Sequence, residues 1–343
     1  MKKLTTLTLA VLFLQRFYAQ DAQYSQFYAN PLYLNPAFAG TAADARAVFI
    51  HRIQWPNLPQ AFTNSTVSID YNRENINSGF GLMIHQDKEG SAALQNTTAS
   101  FIYSYQANVN DKFIIRPAIK FGYTFRSIDR TKLVLGDQID FGIDGTPSQD
   151  PQINAIQLQN HWDIGTGVLI YTKKNWIGLS VDHLTNPNRS LLEGTNRLPL
   201  RYSIHIGGRY TLLRIPSLRT ISPTIAPSVL YRRQGNFQQL DAGASVHLKP
   251  VIFGLYYRGL PVLKNPANQV DQDAVILLVG WEYYNFELGY SFDVTISELD
   301  PVSGGGAHEF SLIYNFKIPR SKYKPPKTSR RLNCPAFINR LFN

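Results

Sequence analysis

Three sets of side chains in this chain are reactive or ligating by type, and spacing decides what each can do. Seven histidines, His51, His85, His161, His183, His205, His247 and His308, stand singly along the sequence. None belongs to an HExxH pair and no serine lies in a GxSxG elbow, so no catalytic residue is named and no enzyme is expected. Asp129, Asp137, Asp140, Asp144 and Asp150, with Gly136, Gly142 and Gly145 between them, collect oxygen ligands in one stretch. A calcium loop needs a fixed ligand order closed by a glutamate, which is missing here. The stretch therefore reads as solvated turns, and neither a metal nor a cofactor is expected. The third set is charge placed inside apolar runs: Arg116, Lys120, Arg126, Arg201, Arg209 and Arg232 against Asp70, Glu287, Asp293 and Glu309. Charges in a low-dielectric interior need partners, so their chemistry is pairing and positioning.

The elements that hold these charges are strands. From Phe113 to Phe125 every second residue (Phe113, Ile115, Pro117, Ile119, Phe121, Tyr123, Phe125) is apolar, with Arg116, Lys120 and Thr124 on the other face. Arg201–Leu212 repeats the split, with Tyr202, Ile204, Ile206, Tyr210 and Leu212 opposite Arg201, Ser203, His205, Arg209 and Thr211. Period-two runs of this length are half-buried strands. About fourteen are expected, at 45–53, 65–72, 78–87, 96–108, 113–127, 160–172, 175–184, 200–213, 219–233, 237–248, 250–259, 274–283, 285–296 and 306–317. Short joins such as Lys173–Lys174 alternate with longer ones such as Ile128–Gln159, the exception being Gln234–Asn236. Even strand number, alternating join length and aromatic strand ends predict an all-β transmembrane outer-membrane β-barrel, with short turns periplasmic and long loops outside. A soluble β-sandwich shares the alternation but not the join asymmetry or the girdle-like aromatics Tyr202, Tyr210, Phe286 and Phe292.

Composition agrees with an exported barrel. Charged residues make up 17% of the chain, below the roughly 25% of soluble domains. The net charge of +10 suits an acidic partner or anionic lipid headgroups and does not by itself imply nucleic acid. Lys2 and Lys3, the apolar run Leu4–Leu14 and Ala19 form an expected signal peptide over 1–19, too short to span a bilayer. Residues 20–44 are expected as a periplasmic segment at the inner mouth, 45–317 as the barrel, and 318–343 as a basic, Pro-rich periplasmic tail unable to form its own core. The single cysteine, Cys334, excludes an intrachain disulfide. A barrel of this strand number needs a filler if its interior is closed, and the 128–159 loop or an inserted partner segment would serve.

The string from Gln20 to Gly40 is dense in amides, aromatics and the two Asn-Pro steps Asn30-Pro31 and Asn35-Pro36, which favour extended chain and turns. It reads either as a segment tucked under or into the barrel or as a contact for a periplasmic partner through Tyr24, Gln26, Phe27, Asn30 and Asn35. Arg52, Gln54, Trp55 and Pro56 mark the first exit from the membrane. Trp55 suits an interfacial girdle, and the planar fork of Arg52 suits a ligand carboxylate or a cargo backbone.

The opening string, Arg52-x-Gln54-Trp55-Pro56, Gly136-Asp137-Gln138-Ile139-Asp140 and the closing His308-Glu309-Phe310-Ser311-Leu312-x-Tyr314-x-Phe316 together resemble the PorP/SprF family of type IX secretion outer-membrane proteins from Bacteroidetes. The resemblance spans about residues 20–317. It implies a role in secretion and surface attachment of a dedicated cargo protein bearing a C-terminal sorting domain, with gliding motility in some members. Other type IX components and outer-membrane lipid are the further partners it implies. A passive diffusion channel and a periplasm-facing scaffold remain the competing readings, the first requiring an open lumen.

Overall fold

Alternation leaves each strand with one apolar and one polar face, and closing the sheet on itself lets every strand satisfy both. The computed structural model describes residues 21–58, 61–90, 94–129, 156, 159–191, 194–212, 223–264, 270–296, 304–318 and 334–336. Its strands are β1 Ala45–Gln54, β2 Phe62–Arg73, β3 Ser78–Glu89, β4 Leu94–Tyr105, β5 Ala107–Asn108, β6 Ile114–Ser127, β7 His161–Tyr171 and β8 Asn175–Asp182. They continue as β9 Arg201–Gly208, β10 Tyr210–Thr211, β11 Thr224–Gln234, β12 Phe237–Leu248, β13 Val251–Lys264, β14 Val270–Tyr283, β15 Phe286–Thr295 and β16 Ala307–Phe316.

Neighbours pair antiparallel in sequence order, and pairing of the last strand with the first closes the ring. β1 pairs β16 from Ala45↔Phe316 to Gln54↔Ala307, and β11 pairs β9 from Ser228↔Gly207 to Gln234↔Arg201. The two-residue strands β5 and β10 extend β4 and β9 after single-residue breaks at Gln106 and Arg209. The wall therefore has fourteen staves, the number expected from the sequence. Differences lie at the ends: β13 and β14 run past the expected join, with register shifts at Arg258/Gly259 and Leu260/Lys264. Gly259 has φ 150°, which lets the strand absorb the extra residue.

The two faces separate as the alternation requires. Phe49, Val67, Leu82, Ile84, Phe121, Ile204, Ile206, Leu255, Leu277 and Val279 are exposed on the outer wall. Trp162 near one rim and Tyr283, Tyr284 and Phe286 near the other supply the interfacial aromatics. Arg116, Lys120, Arg126, Arg201, Arg232, Asp70, Asp293 and Glu309 are buried inside. Arg209 and Glu287 line a cavity at the short-turn end of the lumen.

Two expectations about the ends of the chain are corrected. Residues 21–44 do not sit at the inner mouth; they descend the lumen from the long-loop end to the short-turn end before entering β1. The tail does not lie wholly clear of the barrel, because Cys334 is buried in an apolar cluster with the lumen residues Ile114, Leu169, Tyr171 and Trp176. The expected signal peptide, most of the 128–159 loop and most of the tail lie outside the described residues.

The outer face yields a depth-dependent expectation. Ile206, half-exposed at mid-strand opposite Val229, should cost about 2–4 kcal/mol on replacement by Arg, as at a bilayer midplane. Tyr283→Arg, beside the short turn, should cost about 0–1 kcal/mol. Reversible unfolding in phospholipid, compared between the two variants, measures the difference.

Candidate functional site

The site begins with the opening segment, whose Asn-Pro steps, expected as extended chain and turns, form short helical turns. Proline at the first helical position loses no bond, since that N–H has no intrahelical acceptor. Pro31 accordingly starts the single α-turn Pro31–Leu34, and Pro36 the 3-10 turn Pro36–Phe38; a further 3-10 turn, Phe27–Ala29, precedes them. Asn35 caps the last turn, its Oδ1 accepting from the Ala37 amide at 2.9 Å. The compact turns make a plug that fits the bore.

Close approach between plug and wall depends on glycines facing the lumen. A Cβ on Gly79 would lie 2.1 Å from the Ala39 carbonyl oxygen, one on Gly167 2.2 Å from Asn35 Oδ1, and one on Gly289 2.5 Å from Gln26 Oε1. With that room, Asn35 Nδ2 donates to the Val168 and Leu179 carbonyls at 3.2 and 3.0 Å. Phe27, Leu34, Ala37 and Phe38 join Ile114, Leu169, Trp176, Leu230 and Tyr256 in one apolar cluster. Tyr24, Leu32 and Tyr33 join Val48, Ile50, Met83 and Ile102 in a second. Each large apolar side chain withdrawn from water contributes about 1.5–3 kcal/mol.

Above these clusters the plug backbone is held by charge. The amides of Ser25 and Gln26 donate to Glu309 Oε2 and Oε1 at 2.8 and 2.7 Å, a carboxylate clamp on two successive N–H groups. Ser25 Oγ donates to Asp293 at 2.6 Å and accepts from Arg52 at 2.6 Å and Arg258 at 2.9 Å. Arg52 also pairs with Asp293 at 2.8 Å and Glu309 at 3.3 Å, and Arg258 with Asp241 at 2.7 Å and Asp293 at 2.9 Å. Gln26 Nε2 donates to the Glu309 carbonyl at 3.0 Å and its Oε1 accepts from Ser311 at 2.6 Å. At the short-turn end the Gly40 amide donates to Asp70, which also binds Arg46, while Arg116 donates to the Ala39 carbonyl at 2.7 Å.

The residues singled out from the sequence divide accordingly. Tyr24, Gln26, Phe27, Asn30 and Asn35 are all buried in the plug, where they meet the barrel's own wall. Tyr24 bonds Thr66 at 2.9 Å, and Asn30 lines a small cavity with Arg201 and Arg232. Arg52, read as a fork for a ligand carboxylate or a cargo backbone, is buried and holds carboxylates of its own chain. Gln54, Trp55 and Pro56 are at the long-loop mouth. Trp55 packs edge-on against Phe62 with centroids 5.6 Å apart, and its amide donates to the Gly306 carbonyl at 2.8 Å. Asp182, Asp241 and Arg258 were not singled out, though they stand on the lumen side of expected strands, where alternation marks them; Asp21 and Ser25 lie within the opening string and His183 among the lone histidines, with nothing local to mark their pairing.

Asp21 and His183 latch the plug at the long-loop mouth. His183 bonds Asp21 at 2.6 Å and Asp163 at 2.8 Å, and Arg201 reaches Asp21 at 3.0 Å. Arg201 and Lys120 share Asp182 below. Burial opposes charge on His183, but the two carboxylates prevail and its pKa is raised to about 9. Burial likewise opposes ionisation of Asp21, and His183 and Arg201 hold it well below the usual carboxylate range. Among the described residues no three or more His, Cys, Asp or Glu side chains are arranged to hold a metal ion.

Both shifts convert to stability. The histidine's folded pKa lies above its free value of about 6.5, so its contribution is full below that pH and is lost as pH rises through about 9. His183 has φ 64°, a conformation asparagine tolerates, so His183→Asn is the suitable variant. Its unfolding free energy should fall short of the parent's by a constant amount between about pH 4 and 6.5, where the histidine and its carboxylates are both charged, and converge on it above about pH 9. Ser25→Ala, which removes one hydrogen bond each from Arg52, Arg258 and Asp293, should cost about 1–3 kcal/mol in the same assay.

Comparison with known proteins places this filled barrel. The crystal structure of the P. putida toluene transporter TodX is 9% identical, with 83% of this chain and 93% of that one covered at a TM-score of 0.44. CdiB from Acinetobacter baumannii is 8% identical over 79% of this chain and 60% of that one, TM-score 0.43. A porin mutant from Rh. blastica is 8% identical over 80% and 99%, TM-score 0.34. No curated protein matches the chain. The sequence profile described as "Type IX secretion system membrane protein PorP/SprF" matches residues 16–314, from the expected leader to the last strand. The chain is an outer-membrane β-barrel that belongs to the PorP/SprF family of type IX secretion system membrane proteins.

Proposed function

We propose that this barrel, exported by its signal peptide and inserted with its long loops outward, supports type IX secretion and holds one dedicated cargo protein at the cell surface. The contact is non-covalent and non-catalytic: the cargo's C-terminal sorting domain docks on the long-loop mouth, in concert with other type IX components. The observation that carries this reading is the occupied lumen. Between a cavity of about 70 Å³ beneath the long-loop mouth and one of about 40 Å³ at the short-turn end stand Phe27, Leu34 and Phe38 of the plug, buried against the wall. A passive, water-filled diffusion channel would leave that space to water.

The docking surface proposed is the ledge formed by Trp55, Pro56 and Leu58. Pro56 and Leu58 are exposed, and the ledge is tied down at Trp55 by the Gly306 carbonyl and by the Leu58 amide donating to the Trp55 carbonyl at 3.0 Å. A preorganised apolar edge loses little entropy on binding. Arg52 supports this ledge from below by holding the plug, which makes it a positioning residue. The cargo is of the adhesin or gliding type by analogy with the family.

Deleting the protein should remove one or a few surface proteins, read by surface proteomics, and leave small-solute uptake unchanged. Trp55→Ala with Leu58→Ala should release the same cargo into the medium while the barrel assembles normally, because a buried aromatic anchor carries about 2 kcal/mol or more at such contacts. A normal surface proteome with impaired solute uptake would make the protein a channel and overturn the reading.

A further inference from the structure

The short-turn mouth contains a piece of chain from the far end of the sequence. The last strand ends at Phe316, and the Ile318 amide donates to Asp44 Oδ2 at 2.9 Å, so the tail leaves beside the point where the plug enters β1. Cys334, Pro335 and Ala336 then lie within the mouth. Arg209, at the break between β9 and β10, donates from Nε to the Pro335 carbonyl at 3.0 Å. Cys334 is 1% exposed and belongs to the cluster that contains Phe27, Leu34, Ala37 and Phe38 of the plug. Ala336 packs against that cluster and, with Tyr28, Trp176 and Arg209, lines the 40 Å³ cavity.

These contacts have the parts of a peptide site. A guanidinium reads a backbone carbonyl, an apolar pocket takes a small side chain, and aromatic walls receive the next residue. We propose that the short-turn mouth is a peptide-binding niche, occupied in cis by Cys334–Ala336, which keys the N-terminal plug in place. The niche and the plug share one apolar core, so an empty niche would strip neighbours from Phe27, Leu34 and Phe38 together. Its occupant is the chain's own segment, since that segment already makes the carbonyl bond and fills the pocket. The same burial pushes the Cys334 thiol up to about 12, which makes the sole cysteine a slow nucleophile and a direct reporter of occupancy.

The test uses the full chain with a site-specific protease sequence inserted between Pro325 and Pro326, cut after the barrel has assembled in detergent. The C-terminal fragment should co-elute with the barrel, and Cys334 should react with maleimide roughly a hundredfold more slowly than in the denatured chain, because the thiol must first leave its pocket. Arg209→Gln should raise that labelling rate about tenfold, the weight of one lost charge-assisted hydrogen bond. Stripping the fragment should speed amide exchange in residues 26–38 and leave the strands unchanged, and adding a synthetic peptide of residues 330–343 should restore protection. Cys334 labelling at the denatured rate in a folded barrel would overturn the proposal. So would loss of the fragment with exchange in 26–38 unaltered, or protection restored equally by a scrambled peptide.

Discussion

A ring of fourteen strands encloses more room than its own inward side chains fill, and the way that room is occupied governs the rest of this molecule. Charged side chains on the inner wall lie away from bulk water, so each must be paired or it destabilises the fold by several kcal/mol. Wall-to-wall pairing does part of this, as in Arg258 with Asp241 and Asp293. The rest is done by backbone. Glu309 accepts from two successive plug amides, and the Ser25 hydroxyl stands between two guanidinium groups and a carboxylate. The plug therefore completes the electrostatics of the wall as well as excluding water from it.

The strands were legible because alternation over ten or more residues leaves few alternatives to a half-buried strand, and the inward charges followed from the same count. Arg116, Lys120, Arg201, Asp293 and Glu309 all lie where period two puts them. The plug was visible as an oddity but not in its placement. Its partners lie as far as 285 residues away, as for Gln26 with Ser311, and no local pattern encodes such a pairing. Arg52 shows the same limit from the other side: its fork does bind carboxylates, but only the fold reveals that they belong to β15 and β16. Cys334-Pro335-Ala336 has no periodicity at all, and a basic, Pro-rich composition on either side reads as a solvated tail.

Order of assembly follows from the connectivity. The plug precedes β1 in the chain and bonds to Asp293 and Glu309 in the last two strands, with a sequence separation of 268 residues between Ser25 and Asp293. β1 also pairs β16 to close the seam of the ring. A segment joined to β1 at the short-turn end and reaching the long-loop end has to be inside before that seam zips, or else thread a finished bore. Closing the seam and seating the plug draw on the same side chains, Arg52 of β1 and Glu309 of β16, and contacts this distant in sequence are of the kind that slow folding.

Backbone strain marks the mouth that such a filled barrel presents. Trp55, His183 and Asn186 all have positive φ at the long-loop end, and left-handed backbone at residues other than glycine costs about 1–3 kcal/mol each. Two of them are held by the surrounding structure. Trp55 is fixed by the Gly306 carbonyl and by Phe62, and His183 by Asp21 and Asp163, one of which is the plug itself. An open barrel offers its loops no such footing from within. Here the filler reaches up to the rim at Asp21, which holds His183, so the packing that fills the lumen also fixes part of the surface above it.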